Sequence, residues 1–246
     1  MELVGVILAG GTGSRLMPLT KVTNKHLLPV GRYPMIFHPI HKLVASGVTK
    51  IMVVTGTEHM GSVVGLLGSG KDFGAEFSYR VQDEPGGIAQ ALGLVRHFAA
   101  GHRMVVILGD NVFQDDLTPF VEHYKDQPEG AHVLLKEVPD AQRFGVADVQ
   151  GDRIVGIEEK PKSPKSPFAV TGIYMYDSNV FDVISTLRPS RRKELEITDV
   201  NNWYIEQSRL TYDVFQGWWS DAGTFPSLKK ASELLADTEL NFQDAP

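Results

Sequence analysis

The chain has 246 residues, 42% of them hydrophobic and 22% charged, an ordinary globular composition with enough length for a substantial core. It has no cysteine, which excludes disulfides, thiolate metal sites and cysteine nucleophiles. A formal net charge of −6 argues against general nucleic-acid affinity, and no apolar run approaches transmembrane length, so neither nucleic acid nor membrane is an expected partner. With no secretory-type leader at the start, the expected location is cytoplasmic. The basic residues are unevenly spread. From Met1 to Thr57 the only acidic side chain is Glu2, against Arg15, Lys21, Lys25, Arg32, Lys42 and Lys50, a local cationic balance that suits a small anionic ligand.

In chain order, Leu3, Val4, Val6, Ile7 and Leu8 predict a strand buried on both faces. It breaks into Gly10-Gly11-Thr12-Gly13-Ser14, where glycines let backbone N–H groups converge and a ligand approach closely. Arg15 follows at once and Lys25 ten residues later. A strand, a glycine-rich turn and two cations describe a polyphosphate cradle, with an ordinary strand–turn as the alternative. The dinucleotide fingerprint fails, because its third glycine position is Leu16. A P-loop-like match at Gly65 to Lys71 is followed by Asp72 rather than a hydroxyl, so Gly68-Ser69-Gly70 reads as a helix end and turn.

Pro34 to Ser46 predicts a helix with Pro39 disturbing its first turn. Ile51 to Val54 predicts a strand, Glu58 to Leu67 a short helix and Phe77 to Val81 a third strand. Strands alternating with helices predict an α/β fold with a largely parallel, doubly wound sheet. Gln82 to Ala91 is a loop entering a helix at a strand's carboxyl end, where a glutamine amide can read a nucleobase edge, with an ordinary solvated loop as the equal alternative. Met104 to Leu108 is the most apolar strand and should be central. It runs into Gly109-Asp110-Asn111, which places a carboxylate to hold a hard cation against phosphates, unless Asp110 is only a turn residue.

Further strands are predicted at Ala131 to Val138, at a hairpin flanking Gln150-Gly151-Asp152, at Phe168 to Tyr176 and at Tyr212 to Trp219. Lys162 to Pro167 reads as a loop. Helices are expected from a Ser178 cap to Leu187, from Glu194 onward, and from Pro226 to Leu235, before a polar tail that frays from Asp237. The eight histidines show no zinc-ligand spacing and read as scattered surface and core residues.

Six short motifs in order then carry a resemblance. They are Leu8-Ala9-Gly10-Gly11-Thr12-Gly13-Ser14-Arg15-Leu16 with Lys25-His26-Leu27-Leu28-Pro29-Val30, Gly87-Ile88-Ala89-Gln90-Ala91, Leu108-Gly109-Asp110-Asn111, Arg143-Phe144-Gly145-Val146, Glu158-Glu159-Lys160-Pro161 and Trp219-Ser220-Asp221-Ala222-Gly223-Thr224. On these the chain resembles the sugar nucleotidyltransferases, in particular their thymidylyl branch, over nearly its whole length. The resemblance implies a three-layer, Rossmann-like α/β fold with a mixed, mostly parallel central sheet. It implies one domain over 1–246, with a nucleotide half over about 1–115 and a sugar-phosphate half over about 116–236.

It also implies roles. Leu8 and Gly10 to Ser14 would wrap the nucleoside triphosphate, with Arg15 and Lys25 on its phosphates, and Gln82 and Gly87 would read the pyrimidine. Asp110 and Asp221 would hold Mg²⁺. Asn111, Gly145, Glu159 and Val170 would line the hexose, and Lys160 would hold the sugar phosphate. Catalysis would rest on Arg15, Lys25, Lys160 and Asp110. The implied reaction joins dTTP and glucose 1-phosphate into dTDP-glucose and pyrophosphate, the first step toward dTDP-rhamnose. Such a reaction needs positioning and charge neutralisation but no covalent protein intermediate. Uridylyl or cytidylyl transfer is the alternative within the class, and a catalytically silent sugar-nucleotide sensor is the alternative outside it. A silent protein should have lost Arg15, Asp110, Lys160 or Asp221, and all four are present. Two departures stand out: Ser14 replaces the threonine of many relatives, and the sequence ends soon after the 226–235 helix. Longer members continue with helices forming an effector site and a subunit contact, which puts feedback inhibition and the usual tetramer in question and leaves a homo-oligomer open.

Overall fold

The first apolar run folds as expected: β1 (Leu3–Ala9) is buried along its whole length in the computed structural model, which describes residues 2–242. Val4, Val6 and Leu8 join one hydrophobic cluster, while Leu3, Ile7 and Ala9 join another. A strand covered on both faces has no polar side, which is why it reads as a nearly continuous apolar run. A hairpin of β2 (Pro29–Val30) and β3 (Tyr33–Pro34) leads to α1 (Phe37–Ala45). Then follow β4 (Lys50–Gly56), α2 (Met60–Leu67), β5 (Glu76–Gln82), α3 (Ile88–Gly93) and β6 (Arg103–Leu108). The second half holds β7 (Asn111–Phe113), α4 (Thr118–Asp126), β8 (Ala131–Glu137), β9 (Gly145–Gln150), β10 (Arg153–Glu159), β11 (Phe168–Tyr176), α5 (Val180–Thr186) and α6 (Ile197–Glu206). It closes with β12 (Leu210–Val214), β13 (Trp219–Asp221) and α7 (Phe225–Leu234).

One mixed nine-stranded sheet runs through both halves in the order β10-β9-β11-β6-β1-β4-β5, with β8 beside β11 and β12 beside β8. The block β6-β1-β4-β5 is parallel; β11 joins it antiparallel to β6. Buried side chains of α3, α5 and α6 pack in the cluster on one face, and those of α1, α2 and α4 in the cluster on the other, giving three layers. β6 is central, as its apolarity predicts.

Several boundaries differ from expectation. The first helix begins at Phe37, since Tyr33 and Pro34 belong to the hairpin; Pro39 is its third residue, where a missing N–H removes no helix bond. The cap position before α5 is Asn179 rather than Ser178, and the Asp177 carboxylate accepts the Asn179 N–H at 3.1 Å. The helix expected from Glu194 starts at Ile197. The strand expected over Tyr212 to Trp219 is two strands in different sheets. Asp115 breaks it, because its carboxylate accepts the N–H groups of Gln216 (2.8 Å) and Gly217 (2.6 Å). The tail does not fray as far as it is described: the Phe242 ring packs 4.9 Å from that of Phe73 and 6.0 Å from Phe37. Residues 243–246, part of the same expectation, lie outside the described residues.

Buried His38 ties α1 to the hairpin through Nε2, 3.0 Å from the Val30 carbonyl. Burial lowers its pKa from 6.5, so the folded state favours the neutral ring. The unfolded chain gains a proton as pH drops below 6.5, and the folded chain does so only at lower pH. Stability from this residue is therefore full above pH 6.5 and declines below it. Urea midpoints at pH 7 and pH 5 should differ less in His38→Gln than in wild type; equal differences would remove His38 from the account.

Candidate active site

The carboxyl ends of β1, β4, β5 and β6 open on one cleft. The chain leaves β1 through Gly10 and Gly11, and a Cβ on Gly10 would run into Gln82 Oε1 and displace that amide. Gln82, at the end of β5, donates from Nε2 to Gln90 Oε1 at 2.6 Å and to the Gly87 carbonyl at 3.3 Å. Gly87 has φ +98°, and a Cβ on it would lie 2.5 Å from the Leu195 carbonyl. The glycines thus bring three backbone segments together around one glutamine amide.

Asp110 sits where β6 ends. Its buried carboxylate meets Lys25 Nζ at 2.6 Å through Oδ2 and accepts from Asn111 Nδ2 at 3.0 Å through Oδ1. Burial by itself would raise its pKa, but the Lys25 charge beside it, with these hydrogen bonds, holds it down at about 2. Adjacent His26 is fully buried, and its pKa falls to about 3 through burial and the Lys25 charge. Asn24 fixes this corner: its Oδ1 accepts the His26 N–H at 2.9 Å and lies 2.7 Å from His26 Nδ1.

Asp221 is 111 positions away in sequence but arrives beside Asp110, because β13 pairs antiparallel with β7 and sets Asp221 opposite Asn111. Burial and then the Asp110 charge raise the Asp221 pKa, against the lowering effect of Arg143 and Arg15. Arg143 Nη2 lies 3.3 Å from both carboxylate oxygens. Two carboxylates that disfavour each other's charge at one sheet edge are oxygen donors suited to a hard divalent cation.

Two adjoining cavities, of about 400 and 340 Å³, share Arg15, Asp110, Glu159 and Lys160. The smaller is also lined by Leu8, Gly10, Gly11, Lys25, Gln82 and Gly87, and the larger by Asn111, Gly145, Val170 and Asp221. The sequence-predicted nucleotide and sugar groups therefore fall on either side of one shared centre. Thr12 lines a neighbouring pocket with Gly11 and Lys25. Gly13 and Ser14 line none of the three. Gly13 (φ +61°) instead starts the 3-10 turn Ser14–Leu16 that carries Arg15, with its carbonyl accepting from Thr20 Oγ1 at 2.9 Å.

Asn111 lines the larger cavity, yet its amide is committed internally. Oδ1 accepts the Gly172 N–H at 2.9 Å and the Trp219 Nε1–H at 2.7 Å, and Nδ2 donates to Asp110. Glu159 accepts from Thr198 Oγ1 at 2.7 Å and pairs with Lys160 (3.1 Å) and Arg192 (3.2 Å). Lys160 follows β10 with φ +46°, a left-handed conformation uncommon for lysine, and its N–H donates to the Phe144 carbonyl at 3.0 Å.

Sequence reasoning missed Arg192 and Arg143 as parts of this site, while Trp219, expected as core or pocket wall, is buried and lines the larger cavity. Arg192 lines the smaller cavity and also bridges to Glu194 (3.3 Å) and Glu196 (2.6 Å); the i,i+4 spacing to Glu196 was its only sequence signal. Arg143 and Trp219 stood inside quoted motifs, but nothing local showed that they reach Asp221 and Asn111.

Known proteins align with this geometry. The sequence profile of the family described as "Nucleotidyl transferase" matches residues 4–238. The glucose-1-phosphate thymidylyltransferase of Neisseria meningitidis serogroup A is 41% identical over 98% of this chain and 84% of its own length. A Bacillus anthracis crystal structure, provisionally named a glucose-1-phosphate thymidylyltransferase and solved with sucrose, shares 61% identity with a TM-score of 0.94, covering 97% of each chain. A UDP-glucose pyrophosphorylase solved with UDP-glucose superposes with a TM-score of 0.87 at 22% identity, over 97% of this chain and all of that one, and so shares the fold. Glycine loop, paired carboxylates and profile match lead to one assignment: the chain belongs to the nucleotidyl transferase family.

Proposed function

We propose that the protein is a glucose-1-phosphate thymidylyltransferase, transferring a thymidylyl group from dTTP to α-D-glucose 1-phosphate. The observation that carries the reading is the shared centre of the two cavities, where Arg15, Asp110, Glu159 and Lys160 face both the glycine loop and the predicted sugar pocket. A phosphate oxygen of the sugar attacks the α-phosphorus, forming a new P–O bond as the bond to the β-phosphate oxygen breaks and pyrophosphate leaves. Lys25 and Arg15 hold the triphosphate and Lys160 the sugar phosphate, so two anions meet at in-line distance. Gln82 presents its amide to the pyrimidine, and Glu159 accepts from the hexose hydroxyls. Asp110 and Asp221 would hold Mg²⁺, which when bound screens the repulsion between nucleophile and electrophile. Triphosphate binding would draw Lys25 toward phosphate and would leave the Asp110 carboxylate, now its partner at 2.6 Å, to serve as a metal ligand.

A panel of nucleoside triphosphates and sugar 1-phosphates, assayed for pyrophosphate release, tests the reading. The highest kcat/KM is expected for dTTP with glucose 1-phosphate and a lower one for UTP. A preference for CTP or ATP would overturn it. Lys160→Ala should weaken glucose 1-phosphate binding by roughly 10- to 100-fold, the worth of a hydrogen bond to a charged group, while sparing dTTP. If Lys160 serves only as the exposed partner of Glu159, worth about 0–1 kcal/mol, calorimetric titration will show an unchanged sugar-phosphate Kd.

A further inference from the structure

Outside the cleft, α4, β8 and β12 bring together three side chains that the sequence keeps well apart. His132 points from β8 toward the α4 face, and Asp213 rises beside it from the parallel neighbour β12, whose register sets Thr211 opposite His132. His123 comes down from α4. One ring nitrogen of each histidine and one Asp213 carboxylate oxygen lie within 4.8 Å of one another. His132 is fully buried, Asp213 about a third exposed at 31%, and His123 half exposed at 53%.

The protonation of His132 can be read from its neighbours. Thr211 Oγ1 donates its hydrogen to Gln127 Oε1 at 2.5 Å, so it must accept from His132 Nδ1, 2.8 Å away. The neutral ring therefore carries its proton on Nδ1 and leaves a lone pair on Nε2. That buried Nε2 lies 3.2 Å from Asp213 Oδ2 yet has no hydrogen-bond partner, because the distance is right and the direction is not. His123 Nδ1 approaches the same Oδ2 at 2.7 Å. His123 Nδ1 hydrogen-bonds this oxygen and the unpartnered His132 Nε2 lies beside the same atom, so two nitrogen donors and one oxygen donor gather within the reach of a single cation.

We propose that His123, His132 and Asp213 form a binding site for a divalent transition metal of the zinc class. Tetrahedral zinc with bonds near 2.0–2.1 Å spaces its ligands by roughly 3.3 Å, which the 3.2 Å from His132 Nε2 to Asp213 Oδ2 matches, while the 2.7 Å hydrogen bond from exposed His123 would lengthen to admit the ion. Thr211 supplies the outer hydrogen bond that fixes a metal-bound imidazole, with Gln127 behind it. The half-exposed His123 side leaves the fourth position to water. Two imidazoles and one carboxylate favour Zn²⁺ over Mg²⁺, so the cation expected in the cleft would not compete. A bound metal would clamp α4 to the β8–β12 pair.

The test uses the full-length protein after chelator treatment, titrated with Zn²⁺ and separately with Co²⁺ in excess Mg²⁺. The expected result is one Zn²⁺ per chain, a Tm that rises with Zn²⁺ concentration, and the visible absorption of a tetrahedral nitrogen-ligated Co²⁺. His123→Ala, changed at an exposed position, should weaken Zn²⁺ binding by roughly 100-fold or more and leave pyrophosphate release in Mg²⁺ unchanged. Asp213→Asn should abolish the Co²⁺ spectrum. Equal Zn²⁺ affinity in wild type and His123→Ala would overturn the proposal. So would absence of Zn²⁺ binding with ring-nitrogen NMR showing His132 protonated on both nitrogens, which would make the cluster a charged pair.

Discussion

Replacing Arg15 by alanine is expected to lower kcat by roughly 10²–10³-fold while changing the KM for dTTP far less, the scale seen when a placed transition-state donor is removed. The guanidinium rides on a 3-10 turn immediately after the glycine loop and borders both cavities, so it can reach the junction where pyrophosphate leaves and the new bond forms. A Cβ placed on Gly223 would lie 3.2 Å from Arg15 Nη2 and 3.4 Å from Asp110 Oδ2, which locates the guanidinium close to the Asp110 carboxylate. An interaction made with charge that develops in the transition state affects kcat more than ground-state binding. Arg15→Lys keeps the charge without the planar fork and should recover only part of the rate. Steady-state kinetics on both variants decides the matter. A raised KM with kcat intact would make Arg15 a ground-state phosphate anchor.

The second large effect is expected at Asp110 and Asp221. Asp110→Asn and Asp221→Asn should each reduce kcat by roughly 10²-fold or more, since a bound cation supplies several kcal/mol of charge stabilisation. If both hold the same Mg²⁺, the double variant should fall far short of the product of the single effects, because the second substitution removes a ligand from a site already broken. Chelator should abolish wild-type activity, and added magnesium should restore it. Multiplicative effects, or activity that survives excess chelator, would separate the two carboxylates. Asp110→Asn also leaves Lys25 without its ion-pair partner, so thermal unfolding should be measured beside the kinetics.

Much of this was legible in the sequence, for a physical reason. β1, β6 and β11 are covered on both faces, so burial writes itself into nearly every residue, and glycines mark where backbone must pass close to other backbone. Asp110 could be placed because it follows the most apolar strand. The break between β12 and β13 was marked locally only by Gln216-Gly217 between aromatic residues, and what turns the chain there is Asp115, about a hundred residues earlier. The same holds for Arg143, Arg192 and the histidine pair: their chemistry lies in partners that only the sheet order brings near. The packed Phe242 was hidden by the polar residues around it.

Asn111 carries a consequence for engineering. One buried amide links the Gly172 backbone on β11 to the Asp110 carboxylate, and a Cβ on Gly172 would collide with that Asn111 amide. Any side chain added there pushes on the amide, and the amide pushes on the carboxylate. A library that reshapes the proposed hexose pocket through β11 is therefore expected also to retune the proposed metal site. Variants selected for a new sugar should show altered magnesium dependence even when no residue of the nucleotide half has changed.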